Sequence, residues 1–257
     1  MRVLMPLPDH DFDTTEVAVP WRLLRERGHE VVFATEHGTA AECDPRLLGG
    51  VIFGKLGADP EPIAFYRELT ATSEFRAPIR WHAIEPADYD GLLLPGGHAK
   101  GMRQYLASAL LQQKVAEFWS LERPVGAICH GVLILARAVD PATGRSVIAG
   151  QRTTCLPKFM ERTAFLATAW KLGRYYRTYP EYVEDEVKAA LYDPAQFERG
   201  PLGTKRGTAD DDGPAFVVEY GNYVSARWPG DAYLFAKRFE ALLATHEPVR
   251  RATPAHS

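Results

Sequence analysis

Residues 126–131 read Gly-Ala-Ile-Cys-His-Gly and form the most informative stretch of the sequence. An apolar strand predicted over 124–128 runs straight into Cys129, and a helix predicted over 131–138 follows at once. Small residues two positions before and two after the cysteine permit a tight turn that lifts its side chain above the sheet, as in a nucleophile elbow. Amides at the start of the helix point at the sulfur and favour its ionised form. We therefore predict that Cys129 is a nucleophile rather than a buried structural cysteine.

A second motif, Pro95-Gly96-Gly97-His98, follows an apolar strand predicted over 89–94. Adjacent glycines let backbone N–H groups approach a ligand closely. The motif precedes Cys129 by one strand–helix–strand unit, so both loops open at the same edge of a parallel sheet. We expect the amides of Gly97 and His130 to form an oxyanion hole. The predicted oxyanion and substrate-binding residues are Gly96, Gly97, His98 and Gly131.

The flanking sequence predicts an α/β protein with a mostly parallel central sheet. A strand over 2–7, a helix through 17–24 and a buried strand over 29–35 make a βαβ unit, which requires parallel strands. Thr14 or Thr15 is the expected cap of that helix. Helices are also predicted over 62–70, 102–119 and 231–244, with short strands over 152–155, 215–219 and 223–226.

The stretch 158–201 is mostly helical by pattern and rich in aromatic residues. It is either a lid that selects the substrate or a packing and dimer surface, and packing is the preferred interpretation. We expect a single domain over 1–247, with 158–201 as a helical insertion and 248–257 as a disordered tail.

Composition is that of an ordinary globular protein, with 257 residues, 46% hydrophobic and 25% charged. A net charge of −3 predicts neither nucleic acid nor a membrane surface as a partner. The apolar stretches are too short to span a bilayer, and acids at 9, 11 and 13 argue against reading the N-terminus as a leader. Three cysteines without CxxC spacing favour reduced thiols, and we predict a cytoplasmic location.

The two motifs, over 95–98 and 127–131, resemble those of the ThiJ/PfpI superfamily, which has a class I glutamine amidotransferase-like fold. The resemblance extends to 15–31, 143–154 and 224–230, and therefore covers nearly the whole chain. Within the superfamily, the chain is most similar to the branch of glutathione-independent glyoxalase III enzymes and stress chaperones. This likeness implies a flavodoxin-like three-layer α/β sandwich with a helical insertion, and we expect a homodimer.

The resemblance implies roles for four residues. Cys129 is the nucleophile, and His130 keeps it ionised. Glu16 matches the family's acid that shares a hydrogen bond with the sulfur, which implies partial protonation and action as acid and base. By position alone, an acid near a helix start is more typical of the surface. Counting without a gap places the branch's third triad acid at Glu161, where it would orient His130.

The leading functional interpretation is the conversion of a 2-oxoaldehyde such as methylglyoxal to a hydroxy acid without glutathione, metal or other cofactor. One alternative is a holdase chaperone or oxidant sensor in which Cys129 is oxidised. Another is a cysteine hydrolase or hydratase of the same superfamily. Glutamine hydrolysis is disfavoured because no histidine lies between His130 and His246. The acidic loop over 9–13 is interpreted as solvated rather than as a metal site.

Overall fold

The computed structural model describes residues 1–248, so the predicted tail over 248–257 lies outside the described residues except for Pro248. The strands are β1 Arg2–Pro6, β2 His10–Phe12, β3 Glu30–Thr35, β4 Glu42–Cys43, β5 Ile79–Arg80, β6 Gly91–Leu94, β7 Val125–Ile128, β8 Val139–Asp140, β9 Arg145–Ser146, β10 Val217–Tyr220 and β11 Tyr223–Ala226. The helices are α1 Thr14–Glu26, α2 Pro45–Gly49, α3 Pro60–Ala71, α4 Ser73–Arg76, α5 Met102–Leu106, α6 Ala109–Trp119, α7 Val132–Arg137, α8 Lys158–Leu172, α9 Val183–Ala190 and α10 Ala232–Ala244.

Seven strands form the central sheet in the order β10-β11-β7-β6-β1-β3-β5. Neighbouring strands are parallel except in the β10–β11 hairpin. The chain first extends the sheet from β1 to β3 and later returns to the other side of β1 with β6. Such a reversal leaves a crevice at the carboxyl ends of the strands, where ligands bind in open α/β sheets. The predicted flavodoxin-like α/β fold is confirmed.

Two groups of helices cover the sheet. α1 packs against α3 and α10, whereas α7 packs against α6 and α9. α10 packs closely against β6 and β7 at two glycines. A Cβ on Gly91 would stand 2.6 Å from Leu243, and one on Gly126 would stand 2.9 Å from Phe239, so only glycine leaves room for these side chains. Each fully buried Leu or Phe side chain, such as Leu243 and Phe239, contributes roughly 1.5–3 kcal/mol to stability.

The start of α1 differs from the prediction. Asp13 is the cap, and its carboxylate accepts hydrogen bonds from the amides of Thr15 at 2.8 Å and Glu16 at 3.1 Å. The prediction of Thr14 or Thr15 as the cap is wrong because both lie inside the helix and are buried. Capping by Asp is worth about 1 kcal/mol and, in this chain, also fixes the direction in which α1 leaves the sheet edge.

Two other elements differ from their predicted form. The helix predicted over 102–119 is divided into α5 and α6, because Ser108 caps α6 by accepting a hydrogen bond from the Leu111 amide at 3.2 Å. The strand predicted over 152–155 is a single bridge between Thr153 and Phe197. The stretch 158–201 contains α8, α9 and irregular connections. Within residues 1–248, the helices lack the combination of length and apolar character needed to cross a membrane.

Candidate active site

Cys129 lies on a strained turn between β7 and α7. Residues Cys129–Gly131 form one 3₁₀ turn, and Cys129 has a φ of 58°, in the left-handed region. A non-glycine residue there costs on the order of 1–3 kcal/mol, which the surrounding packing must offset. A Cβ on Gly131 would stand 2.2 Å from the carbonyl oxygen of Leu94, so this position admits only glycine. The structure thus contains the sharp strand-to-helix turn that the sequence predicts.

Glu16 of α1 is fully buried beside Cys129. Its Oε2 accepts a hydrogen bond of 2.8 Å from the amide of Gly96. A Cβ on Gly96 would stand 2.9 Å from that oxygen and 2.7 Å from the backbone nitrogen of His130, so glycine is required here too. Among the described residues, Oε1 of Glu16 has no hydrogen-bond partner, and the thiol of Cys129 adjoins the carboxyl group. Gly96 therefore helps to hold Glu16 in place.

The pKa values of Cys129 and Glu16 are both raised. Burial raises the pKa of Glu16 well above its usual range, and the carboxyl of Asp13 raises it further. Burial also raises the pKa of Cys129, as do Glu16 and Asp13, while the amide of His130 lowers it. Ionisation of either group disfavours ionisation of the other. Protonated Glu16 is therefore the state in which Cys129 ionises most readily.

Asp13 is a third buried ionisable group at the site, and it is not among the predicted site residues. Its side chain caps α1 and lines the cavity above Cys129. Burial raises the pKa of Asp13 to about 6, while the cap hydrogen bonds and the charge of Arg206 lower it. An acid three residues before Glu16, at a helix start, is a capping signature that would have identified it.

His130 is buried next to the nucleophile, with Nδ1 3.4 Å from Sγ of Cys129. Burial lowers the pKa of His130 well below its usual range, and His98, Arg137 and Arg177 lower it further. The ring is consequently neutral near pH 7 and has no positive charge with which to hold a thiolate. The expectation that His130 keeps Cys129 ionised stays a prediction: its backbone amide lowers the pKa of the thiol, whereas its neutral ring carries no charge that would do so.

Glu161 of α8 comes close to both histidines but is bound by other groups. Ligand atoms of His98, His130 and Glu161 all lie within 4.8 Å of one another. The Glu161 carboxylate accepts hydrogen bonds from Arg177 at 2.9 Å and from the amide of Val183 at 3.0 Å. Within the described part of the chain, Nε2 of each histidine has no hydrogen-bond partner. The role of Glu161 as the acid that orients His130 therefore stays a prediction.

Two histidines and a carboxylate are also ligands that a divalent metal ion prefers. Here the set fits a cation poorly, because both oxygens of Glu161 are engaged and the guanidinium of Arg177 brings a positive charge. Burial, and to a smaller extent the charge of Arg177, lowers the pKa of His98 to about 4.

A cavity of about 490 Å³ opens above Cys129. Its lining includes the predicted residues Gly97 and His98, whereas Gly96 and Gly131 lie outside it. Gly96 donates a hydrogen bond to Glu16, and Gly131 packs against the end of β6, so a role of these two glycines in binding substrate stays a prediction. The wall opposite the sheet is one face of α8. α8 thus lines the cavity, and the choice between a lid and a packing surface for 158–201 stays a prediction.

Comparisons with known proteins agree with this fold. A family model described as ThiJ/PfpI family-like matches residues 7–201. A deglycase from Pyrococcus abyssi is 27% identical over 95% of this chain and 99% of its own length. Glyoxalase 3 from Candida albicans is 27% identical over 54% of this chain and 57% of its own length. The crystal structure of glyoxalase III from that organism has a TM-score of 0.67 and 21% identity, covering 94% of this chain and 97% of its own, a likeness of fold.

Proposed function

Because the chain belongs to the ThiJ/PfpI family, we propose that it is a cysteine-dependent enzyme that converts 2-oxoaldehydes to 2-hydroxy acids without glutathione. The observation that carries this proposal is the buried pair of Cys129 and Glu16 at the base of an open cavity. Relatives named deglycase and glyoxalase 3 support a reaction on reactive carbonyl compounds.

In the first step, the thiolate of Cys129 attacks the aldehyde carbon and forms a C–S bond. The electron pair of the carbonyl moves to its oxygen, which takes the proton held by Glu16 and completes a hemithioacetal. The proposed oxyanion donors are the amides of Gly97, which lines the cavity, and His130, which already faces the sulfur.

In the second step, ionised Glu16 removes the hydrogen of the former aldehyde carbon and returns it to the neighbouring carbon. The hydroxyl proton passes from the first oxygen to the second, which yields a thioester of the 2-hydroxy acid. The first carbon loses the two electrons that the second gains, so the step needs no external oxidant. Water then hydrolyses the thioester and restores the thiol. A carboxyl with a raised pKa suits both halves of this transfer.

The competing interpretations receive less support from the site. A hydrolase of the triad type needs an acid hydrogen-bonded to His130, whereas Glu161 binds Arg177 and Val183. An oxidant sensor needs a solvent-accessible cysteine, whereas Cys129 is 4% exposed.

The test is formation of 2-hydroxy acid, without glutathione, from methylglyoxal and cyclohexylglyoxal. The variants are Cys129→Ser and Glu16→Gln, with Cys155→Ala as a control that changes another buried cysteine. We expect wild type and the control to turn over, and the two site variants to lose on the order of 10³-fold or more in kcat/KM. Inert wild-type protein with both aldehydes would overturn the proposal.

A further inference from the structure

The cavity above Cys129 is much larger than a small carbonyl compound requires. Its volume, about 490 Å³, lies within the roughly 300–1,000 Å³ typical of sites for drug-sized ligands. Methylglyoxal adds only a methyl group to its two carbonyls, so most of the space would still hold water. Exclusion of water from an active site strengthens the electrostatic interactions inside it. A substrate that fills the cavity would provide that exclusion.

The reactive groups and the apolar surface occupy different ends of the cavity. Cys129, Glu16 and Asp13 cluster at the sheet edge. The far wall is a continuous face of α8, since its lining residues recur at i, i+3, i+4, i+7 and i+8. They are Met160, Thr163, Ala164, Ala167 and Thr168, and Phe159 of the first turn of α8 lines the cavity beside them.

The size of these side chains explains why space remains. After Met160, each turn of the α8 face presents only alanine or threonine towards the cavity. Leu156 and Val51 bound the same space from neighbouring segments and are buried and apolar. The far end therefore offers room and apolar contact, while the charged groups lie at the reacting end.

We propose that the preferred substrates are 2-oxoaldehydes carrying a bulky, branched or cyclic hydrocarbon group, which the small-residue face of α8 accommodates. This inference rests on the proposed reaction and specifies its substrate class. Each methylene-sized group that an apolar pocket accepts changes kcat/KM by roughly 10–200-fold. Ala164, in the middle of the face, is the position at which selectivity is set.

The test compares methylglyoxal with cyclohexylglyoxal, both of which carry saturated substituents, so that their carbonyls have similar intrinsic reactivity. Wild type should prefer cyclohexylglyoxal by at least about tenfold in kcat/KM. Ala164→Phe, which fills the cavity, should lower kcat/KM for cyclohexylglyoxal by about tenfold or more and leave methylglyoxal within about threefold. Ala169→Phe makes the same change on α8 outside the cavity lining and should leave the preference intact.

The outcomes separate the two proposals. Equal or better use of methylglyoxal by wild type would overturn the inference about substrate while the proposed reaction stands, and this comparison needs no variant to fold. An equal loss with both aldehydes in Ala164→Phe would also contradict it. Wild-type protein that converts neither aldehyde would overturn the reaction and the substrate class together.

Discussion

The two walls of the cavity are built in different ways. At the sheet edge, backbone geometry fixes the reactive groups: Cys129 has a positive φ, and Gly96 touches both Glu16 and the His130 amide. On α8, side-chain size alone shapes the wall, and the helix backbone is regular. The chemistry therefore tolerates little change at the first wall, whereas the second can change its residues, and with them the substrate, without disturbing the reacting groups.

Among changes that keep the reacting side chains, a methyl group added at the sheet edge should have the greatest effect. Gly96→Ala places a Cβ against Glu16 and the backbone of His130, so we expect kcat/KM to fall by on the order of 100-fold. Overpacking should also lower the free energy of unfolding by about 1–3 kcal/mol. Steady-state kinetics and urea denaturation measure both quantities. Gly203→Ala is the control, because a Cβ there meets nothing within 4 Å.

Glu161 is a buried acid on α8. Glu161→Ala leaves the buried guanidinium of Arg177 without its partner and should cost about 3 kcal/mol of unfolding free energy. Glu161→Gln keeps one of the two hydrogen-bond acceptors, so it should cost less stability than Glu161→Ala and keep kcat/KM within about tenfold. If Glu161 instead orients His130 as a triad acid, Glu161→Gln would lose on the order of 10⁴-fold.

Asp13 gives a prediction about pH. Its pKa is about 6 in the folded protein and 3.8 in the reference state, so the folded form binds more protons between these values. The stability contribution of Asp13 is therefore present at low pH and falls as pH rises from about 4 to 6. Relative to wild type, Asp13→Asn should gain on the order of 2 kcal/mol across this window, since Asn also caps helices well. Urea denaturation at several pH values measures the gain. If the difference in unfolding free energy between Asp13→Asn and wild type does not change with pH, the raised pKa of Asp13 is contradicted.

The same substitution should move the activity profile. The Asp13 charge raises the pKa of both Glu16 and Cys129, so its removal should shift both limbs of the kcat/KM profile to lower pH. A profile that stays in place would show that Asp13 does not act on the pair.

The smallest effect is expected on the outer face of α8. Trp170 is 66% exposed, so Trp170→Ser should change the free energy of unfolding by less than about 0.5 kcal/mol. Denaturation together with light scattering is the measurement. A larger loss, or a change in oligomer size, would place Trp170 in the contact surface of the expected homodimer.

The sheet-edge wall was the more predictable of the two. The small residues around Cys129 and the paired glycines after β6 indicate a strained turn and a close approach, and the structure contains both. Asp13 was missed because the threonines beside it also occur as caps, although Asp ranks above Thr and its spacing to Glu16 is the stronger signature. The neutral state of His130 depends on burial and on His98, Arg137 and Arg177, and two of these, His98 and Arg177, are distant in sequence.

The α8 wall was less predictable for a physical reason. Alanine and threonine carry little hydrophobic signal, so their helical periodicity does not distinguish a cavity face from an ordinary surface. What distinguishes it is the empty space opposite Ala164, and that space depends on how 47–56 and 156–168 pack together. Only the folded arrangement contains this information.

The coupling of Glu16 and Cys129 is tested by the pH dependence of alkylation at Cys129 by iodoacetamide. The reaction is followed by mass spectrometry in wild type and Glu16→Gln. If the two buried groups compete for protons, removal of the Glu16 charge lowers the pKa of the thiol, and alkylation begins at lower pH. An unchanged or higher pH of alkylation would show that Glu16 and Cys129 are not coupled, and the proposed proton transfer would lose its basis.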